Sequence, residues 1–287
     1  MLRGKVKFHS FFAGFALAVV LTLAASPWNA LAQTAGTADK AAAKPDQPKA
    51  KVKPGFWSGF YIGAYGAGIF NRSNATTTAV GTTSDYLNPA TPADIARVGA
   101  QKVSGKTSYG GGGTFGYSRQ SGTLVYGGEF DFGIMSAKNT TSSTAVLTCC
   151  VASTFTITQS VRTHYLLTAR PRLGYGSVDK LFYVTGGLAV TGINYDASYT
   201  DTFGPATESG GVTKRKYGWT AGGGVEIKIY GKWSVKGEYL YASFGKVSGT
   251  STNLKAFTPA RAFPANIFTH SADLVSHNIR YGINYHF

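Results

Sequence analysis

The chain has 287 residues, enough for one large or two small domains, and it combines 37 Gly, 18 Phe and 17 Tyr with only two Cys. Charged residues are few, and the formal net charge is +15. This composition suits a glycine- and aromatic-rich sheet rather than a helical protein, and no nucleic-acid motif accompanies the basic charge.

At the N-terminus, Arg3, Lys5 and Lys7 precede an apolar run from Phe11 to Ala25 that is short for a membrane-spanning helix. Ala30-Leu31-Ala32 then supplies the small-x-small cleavage pattern. Residues 1–32 therefore read as a cleaved signal peptide, with an uncleaved anchor helix as the alternative. The absence of Cys beside the cut excludes a lipoprotein. Residues 33–55 are rich in Ala, Lys, Pro and Thr and bury almost nothing, so a disordered periplasmic linker is expected. Its lysines, including Lys40 and Lys53, read as a solvated tether or as contacts to an anionic surface.

Residues 56–287 read as eight strands. The first spans Trp57 to Phe70, with Phe60, Ile62 and Phe70 on one face. The second spans Thr107 to Ser118, and the third, Thr123 to Ala137, sets Leu124, Tyr126, Phe130, Phe132 and Ile134 opposite Glu129 and Asp131. In the fourth, Val161 to Tyr175, the expected outward set is Val161, Tyr165, Leu167, Leu173 and Tyr175, against Arg162, His164, Arg170 and Arg172. The fifth runs from Leu181 to Tyr195. The sixth, Lys216 to Tyr230, has Lys216, Glu226 and Lys228 inward. The seventh, Trp233 to Lys246, has Lys236 and Glu238 inward. The eighth begins near Ser271 and ends in Ile279-Arg280-Tyr281-Gly282-Ile283-Asn284-Tyr285-His286-Phe287, where large apolar and other residues alternate strictly.

Connections alternate between long and short. Ser121-Gly122, Ser177 to Lys180 and Gly231-Lys232 are tight turns. Asn71 to Lys106, Lys138 to Ser160, Ala197 to Arg215 and Val247 to His270 are long and rich in Thr, Ser, Asn and Ala. This rhythm is that of an all-β, eight-stranded antiparallel up-and-down transmembrane β-barrel, with short periplasmic turns and long extracellular loops. A lipocalin-like soluble barrel is the alternative, but its greasy face points inward. Here ionisable side chains share the face opposite the continuous apolar one, a surface that would aggregate in water. Aromatic residues gather at the strand ends as interfacial girdles: Trp57, Tyr117, Tyr175, Trp233 and Phe287 at one end, Phe70, Tyr109, Tyr217 and Trp219 at the other.

Three stretches resemble a family. Phe56-Trp57-Ser58-Gly59-Phe60-Tyr61-Ile62-Gly63 is similar to the first strand of small alphaproteobacterial outer-membrane surface antigens, related to the opacity-type, OmpA-like barrels. Tyr217 to Glu226 with Trp233 to Tyr241 resemble the sixth and seventh strands, and Asn278 to Phe287 the terminal one. The resemblance implies bacterial outer-membrane localisation, and recognition of the last strand by the barrel assembly machinery through Tyr285 and Phe287. It implies roles in envelope integrity and surface exposure, with small-solute passage or hemin binding in some members. The first long loop and the Cys pair depart from the family pattern.

A lumen this narrow holds little beyond its own side chains. Glu129, Asp131, Arg162, Arg170, Arg172, Glu226, Lys228, Lys236, Glu238 and Arg280 are thus expected to form a salt-bridged plug, with an anion-favouring channel as the alternative. Lys214, Arg215 and Lys216, at the loop end of the sixth strand, are expected to meet the phosphates of lipopolysaccharide in the outer leaflet. A surface His or Tyr could ligate hemin, but isolated histidines define no site. A lipid-modifying enzyme would need a Ser-His pair; His270 and Ser271 are adjacent, point to opposite faces and lack an evident carboxylate. Cys149-Cys150 read as a vicinal disulfide, a soft-metal site, a cross-link or an incidental loop feature. The reading is a structural outer-membrane surface protein without catalytic, cofactor or metal residues. A small porin-like channel and a hemin-binding surface protein are the alternatives.

Overall fold

The computed structural model describes residues 55–81, 85–105, 107–150 and 152–287. The signal-peptide and linker readings, apart from Gly55, lie outside them. In chain order the elements are β1 (Gly59–Val80), α1 (Thr91–Gly99), β2 (Gln101–Ser104), β3 (Ser108–Ser121), β4 (Leu124–Val146), β5 (Thr154–Gly176), β6 (Lys180–Asp201), β7 (Thr207–Tyr230), β8 (Trp233–Ser251), β9 (Lys255–Ala256), β10 (Arg261–Ala262) and β11 (Ile267–His286).

Eight long strands close a ring, β1–β3–β4–β5–β6–β7–β8–β11 and back to β1, antiparallel throughout. Closure is what a strand needs to cross lipid, because it leaves no unpaired edge in the hydrocarbon. Among the described residues no helix is long and apolar enough to cross a membrane. The three tight turns fall where expected, and Gly122 (φ 62°) and Gly231 (φ 53°) supply the left-handed backbone that two-residue hairpin turns require.

The long connections differ from expectation. Most of their length is strand: β1 runs on to Val80, β4 to Val146, β6 to Asp201 and β8 to Ser251, while β5, β7 and β11 start well inside the expected loops. Their alternation is real but its chemistry is inverted. In β6 the lower outward residues are Phe182, Val184, Leu188 and Val190, whereas the upper ones are Asn194, Asp196, Ser198 and Thr200. Inside that upper half lie Ile193, Tyr195, Ala197 and Tyr199, all buried. In β5, Phe155 and Ile157 are buried while Thr154, Thr156 and Thr158 face outward. Thr140, Ser142 and Thr144 on β4 link by hydroxyl hydrogen bonds to Ser160, Thr158 and Thr156 on β5. The barrel is thus greasy outside within the bilayer and greasy inside above it.

Two strands change faces in the process: β8, where its register against β11 shifts between Ser243 and Lys246 and carries Val247 inward, and β5. Between Thr163 and Leu166 the β5–β6 register shifts, with two residues of β5 opposite one of β6. A one-residue insertion exchanges the two faces of everything beyond it. Val161 therefore turns inward and is buried, while Arg162 and His164 turn outward and are exposed, the reverse of the sequence expectation.

Both ends are stoppered. At the periplasmic end Trp57 is 1% exposed and packs with Val125, Leu181 and Tyr183, with Phe56 against them. Its indole N–H donates to the Ser177 carbonyl at 2.8 Å. Trp57 is therefore a floor of the lumen and no part of the girdle. At the extracellular end α1, unforeseen in the sequence, fills the gap left between β1 and β4 where β3 stops. Pro92 sits in its first turn, where a missing N–H costs nothing. Its Asp94 accepts from the Thr148 N–H (2.9 Å) and hydroxyl (2.8 Å), and Gln159 of β5 donates to the Gly99 carbonyl at its C-terminus (2.6 Å).

β7 and β8 pair only from Trp219↔Ser243 downward. Above that point side chains close the seam: Lys216 Nζ donates to the Lys246 carbonyl (2.9 Å), Asn253 bonds the Ser209 backbone, and Thr207 pairs with Lys255 at the top.

The inversion is testable by substitution. Leu188→Lys, on the lipid-facing band, is expected to cost up to about 2–4 kcal/mol in reversible unfolding from vesicles. Thr156→Lys, equally outward but on the upper barrel, is expected to be near neutral. Equal costs at both positions would contradict the assignment of the bilayer boundary.

Candidate functional site in the barrel lumen

Eight of the ten expected lumen charges meet inside the lower barrel, and they balance: Glu129, Asp131, Glu226 and Glu238 against Arg170, Arg172, Lys236 and Arg280, all buried. Sheet register brings several opposite charges directly across from one another, with Glu129↔Arg170, Glu226↔Lys236 and Glu238↔Arg280 as cross-strand partners. Arg170 is the hub. It reaches Glu129 at 2.6 Å, Asp131 at 2.5 Å and Glu238 at 3.2 Å. Arg172 bridges Glu129 (3.4 Å) and Glu226, Lys236 reaches Glu129 (3.0 Å), and Arg280 lies between Asp131 (3.1 Å) and Glu238 (3.5 Å).

Neutral donors extend the network. Tyr61 donates to Glu129 (2.9 Å), Tyr183 to Glu238 (3.0 Å), and Thr114 and Thr168 each to Asp131 (2.8 Å). Asn284 donates to Glu226 (2.8 Å), and His286 stands 3.2 Å from the same oxygen. The Arg172 guanidinium lies 3.6 Å over the Tyr183 ring and that of Arg280 4.6 Å over Tyr65. Glu129, Asp131 and Glu238 offer oxygens within 4.8 Å of one another, the spacing of a cation site. Arg170 bridges all three, so the cation they hold is a guanidinium.

Two expected members stand elsewhere. Arg162 is exposed beyond the β5 bulge. Lys228 faces inward but at the rim, its ammonium 4.4 Å over the Phe56 ring. Both had the right alternation by eye; a bulge displaced one and the barrel mouth ended the lumen before the other.

Higher up, His270 is 1% exposed and has partners that the sequence did not reveal. Nδ1 lies 3.1 Å from the Thr77 hydroxyl, and Nε2 lies 3.1 Å from Glu208 and 3.3 Å from Ser251. Ser251 also donates to Glu208. A carboxylate therefore does accompany the imidazole, contrary to expectation, and the serine is Ser251 rather than Ser271. Yet acid and serine share one ring nitrogen, so the imidazole cannot relay a proton from one to the other through its two nitrogens. The cluster joins β7, β8, β11 and β1 at the level where β7 and β8 lack backbone pairing, and this is the task its geometry performs. Sequence spacing gives no warning of it, since the four residues come from four distant strands.

Just beyond the Tyr217 and Trp219 girdle, Arg215 is exposed on the outer face, whereas Lys214, exposed, and Lys216, half-buried, share the inner face with their partners Ile193 and Thr191 where β7 and β8 part. Lys138 and Arg162, paired across β4 and β5, continue this basic row at the same level. Tyr285 and Phe287 face outward on the closing strand, their rings 5.3 Å apart, and the Phe287 N–H donates to the Phe60 carbonyl (3.0 Å). Cys149 and Cys150 are joined as a vicinal disulfide in the loop between β4 and β5.

A greasy belt around a neutralised charged lumen, with polar upper walls, is a membrane barrel that projects above its bilayer. The chain is 28% identical over 268 residues to the 31 kDa outer-membrane immunogenic protein of Brucella melitensis, covering 89% of this chain and 95% of the relative. It is 28% identical over 199 residues to the 22 kDa outer membrane protein of Rhizobium leguminosarum, covering 68% and 69%. The chain is an outer-membrane β-barrel akin to the small alphaproteobacterial surface antigens. No protein-family model matches it. The outer membrane protein OprG of Pseudomonas aeruginosa matches 81% of this chain and 99% of its own, at 9% identity and a TM-score of 0.41. Such a distant likeness says nothing about activity.

Breaking the network on one side leaves its partners buried and unpaired. Glu238→Gln strands part of the charge of Arg170 and Arg280 and is expected to cost about 3–5 kcal/mol in chemical unfolding. Arg162→Gln, outside the network, is expected to change stability by less than about 1 kcal/mol. A Glu238→Gln barrel as stable as the parent would show that the ion pairs do not hold the lumen closed.

Proposed function

We propose that the protein is a structural outer-membrane surface protein that contributes to envelope integrity, with no catalytic role and no conducting pore. The observation that carries this reading is the buried, charge-balanced network of ion pairs around Arg170, lying over the Trp57 floor. An ion crossing it would have to displace partners already matched in charge. The upper barrel, polar outside and packed inside, fits a rigid projection presented to the surroundings. The Brucella relative is named an immunogenic outer-membrane protein, which accords with surface exposure. Planar-bilayer recording on refolded protein is expected to be silent, and steady unitary openings would overturn the reading in favour of a small porin-like channel.

The envelope role implies a grip on the outer leaflet. Arg215, with Lys138 and Arg162 beside it, faces the level of lipopolysaccharide phosphates just above the aromatic girdle, and Lys214 and Lys216 stand at that level where β7 and β8 part. Individual exposed charge pairs contribute only about 0–1 kcal/mol, but a row of them sums. Replacing Lys214, Arg215 and Lys216 together by Gln is expected to reduce the thermal stabilisation that added lipopolysaccharide confers on the refolded barrel. An unchanged response across lipopolysaccharide concentrations would count against this contact. Tyr285 and Phe287, outward on the last strand, are the proposed recognition element for the barrel assembly machinery.

A further inference from the structure

The lipid-facing wall of the lower barrel is not smooth. Two adjoining depressions, of about 560 and 530 Å³, lie on the outer surface of β4, β5 and β6. Tyr175 and Phe182 flank the lower one, at the periplasmic end, and Pro171 and Gly186 the upper. Both are lined by Leu173 and Val184, which stand opposite each other, with Tyr126 in the same cross-strand row. The two therefore form one groove. It climbs from the periplasmic turns into the lower half of the apolar band, so it lies in the periplasmic leaflet of the bilayer.

The depth of the upper groove has a cause in the strands. Pro171 has no N–H to give to β6, and the β5–β6 ladder skips Arg170 and Pro171 there. Gly128 stands opposite Pro171 on β4, and the large outward side chains resume only at Phe130 and Leu188 above. A lipid tail in this groove exchanges one hydrocarbon environment for another, so the hydrophobic effect gives it no preference. Close packing against the wall and the charge of the headgroup do the selecting.

The charge at the foot of the groove is basic. Among the described residues, the accessible charged side chains on the periplasmic rim are Arg119, Lys180, Lys228 and Lys232 against Asp179. Lys180 is exposed and points outward one pleat below Phe182, across from Ile227. Tyr175, 60% exposed, sets its phenol beside the same end. An ammonium and a hydroxyl at the interface, below an apolar groove, match a phosphate joined to an acyl chain.

We propose that this groove holds one acyl chain of an anionic glycerophospholipid of the periplasmic leaflet, with the lipid phosphate at Lys180. The site is independent of the lumen network and of whether the barrel conducts. It is tested by native mass spectrometry of the refolded full barrel in a maltoside detergent, offered phosphatidylglycerol and phosphatidylcholine with matched chains in equal amounts. One phosphatidylglycerol per barrel is expected to be retained in preference to phosphatidylcholine.

Lys180→Gln is expected to reduce that preference by about fivefold, on the scale of one basic side chain at an anionic lipid surface. A Cβ at Gly128 would come no closer than 3.9 Å to the Arg170 carbonyl, so Gly128→Leu extends over Pro171 without a clash. It is expected to reduce retention of both lipids and to leave the preference between them in place. Heat-modifiable gel migration checks that each variant is folded. Equal retention of the two lipids, a preference that survives Lys180→Gln, retention unchanged by Gly128→Leu, or a barrel dimer that Gly128→Leu alone dissolves would each overturn the proposal.

Discussion

Closing eight strands leaves a lumen too narrow to hydrate its own charges, and this one constraint organises the lower half of the protein. A buried carboxylate or guanidinium without a partner costs several kcal/mol, so every charge placed inside must find its opposite within reach. The structure meets the requirement by register: acids on β4, β7 and β8 stand opposite bases on β5, β8 and β11 at the same height. Four acids then meet four bases. Because the ring is closed, a slip in any one strand would misplace a charge as well as a lipid-facing side chain. The same alternation therefore fixes both surfaces at once.

The second organising fact is the change of solvent along the barrel axis. Within the bilayer the outer wall must be apolar and the interior can be polar; above it the outer wall meets water and the interior must supply a core. The strands satisfy both demands without leaving the sheet. Most do so by exchanging residue types at constant parity, as β6 does after Val190. β8 and β5 instead change parity at a bulge, which in β8 turns Val247 inward and in β5 carries Arg162 and His164 out to the interface and Val161 into the upper core. The upper barrel is built like a soluble one, and a greasy lining beneath a helical stopper replaces the ion pairs below.

The lower barrel was legible in the sequence because its two faces differ in the most visible way, large apolar against charged or glycine. The terminal strand, the hairpin turns and eight of the ten lumen charges followed from that alternation. The upper barrel was hidden because its outward residues are Thr, Ser and Asn, the composition of loops, although β-branched Thr is at home in strands. Phe155, Ile157 and Val161 at every second position were the available signal. Trp57 looked like a girdle residue because an aromatic at a strand start has two uses, and only the fold shows that this one turns in. The His270 cluster and the extracellular mouth were invisible for a different reason. Each is assembled from segments distant in sequence, and no local spacing encodes a meeting that ring closure alone produces.

Polar side chains take over wherever the strand ladder is interrupted, and this explains the clusters that carry no evident chemistry. Where β3 ends, β2 pairs with β1 in its place and α1 fills the wall, and Asp94, Gln101 and Gln159 tie these elements to the β4–β5 loop and to β5. Where β7 and β8 part, Lys216 caps a carbonyl, and Glu208, Ser251, His270 and Thr77 bridge the gap from within. Above the membrane such repairs are tolerable because water can satisfy what they miss; within the bilayer the β5–β6 ladder skips only Arg170 and Pro171, where the Thr185 hydroxyl donates to the Pro171 carbonyl (2.8 Å). The larger interruptions lie on the extracellular side, and there the chain leaves the cylinder and builds the mouth in which Tyr86, Phe203 and the cysteine pair come together.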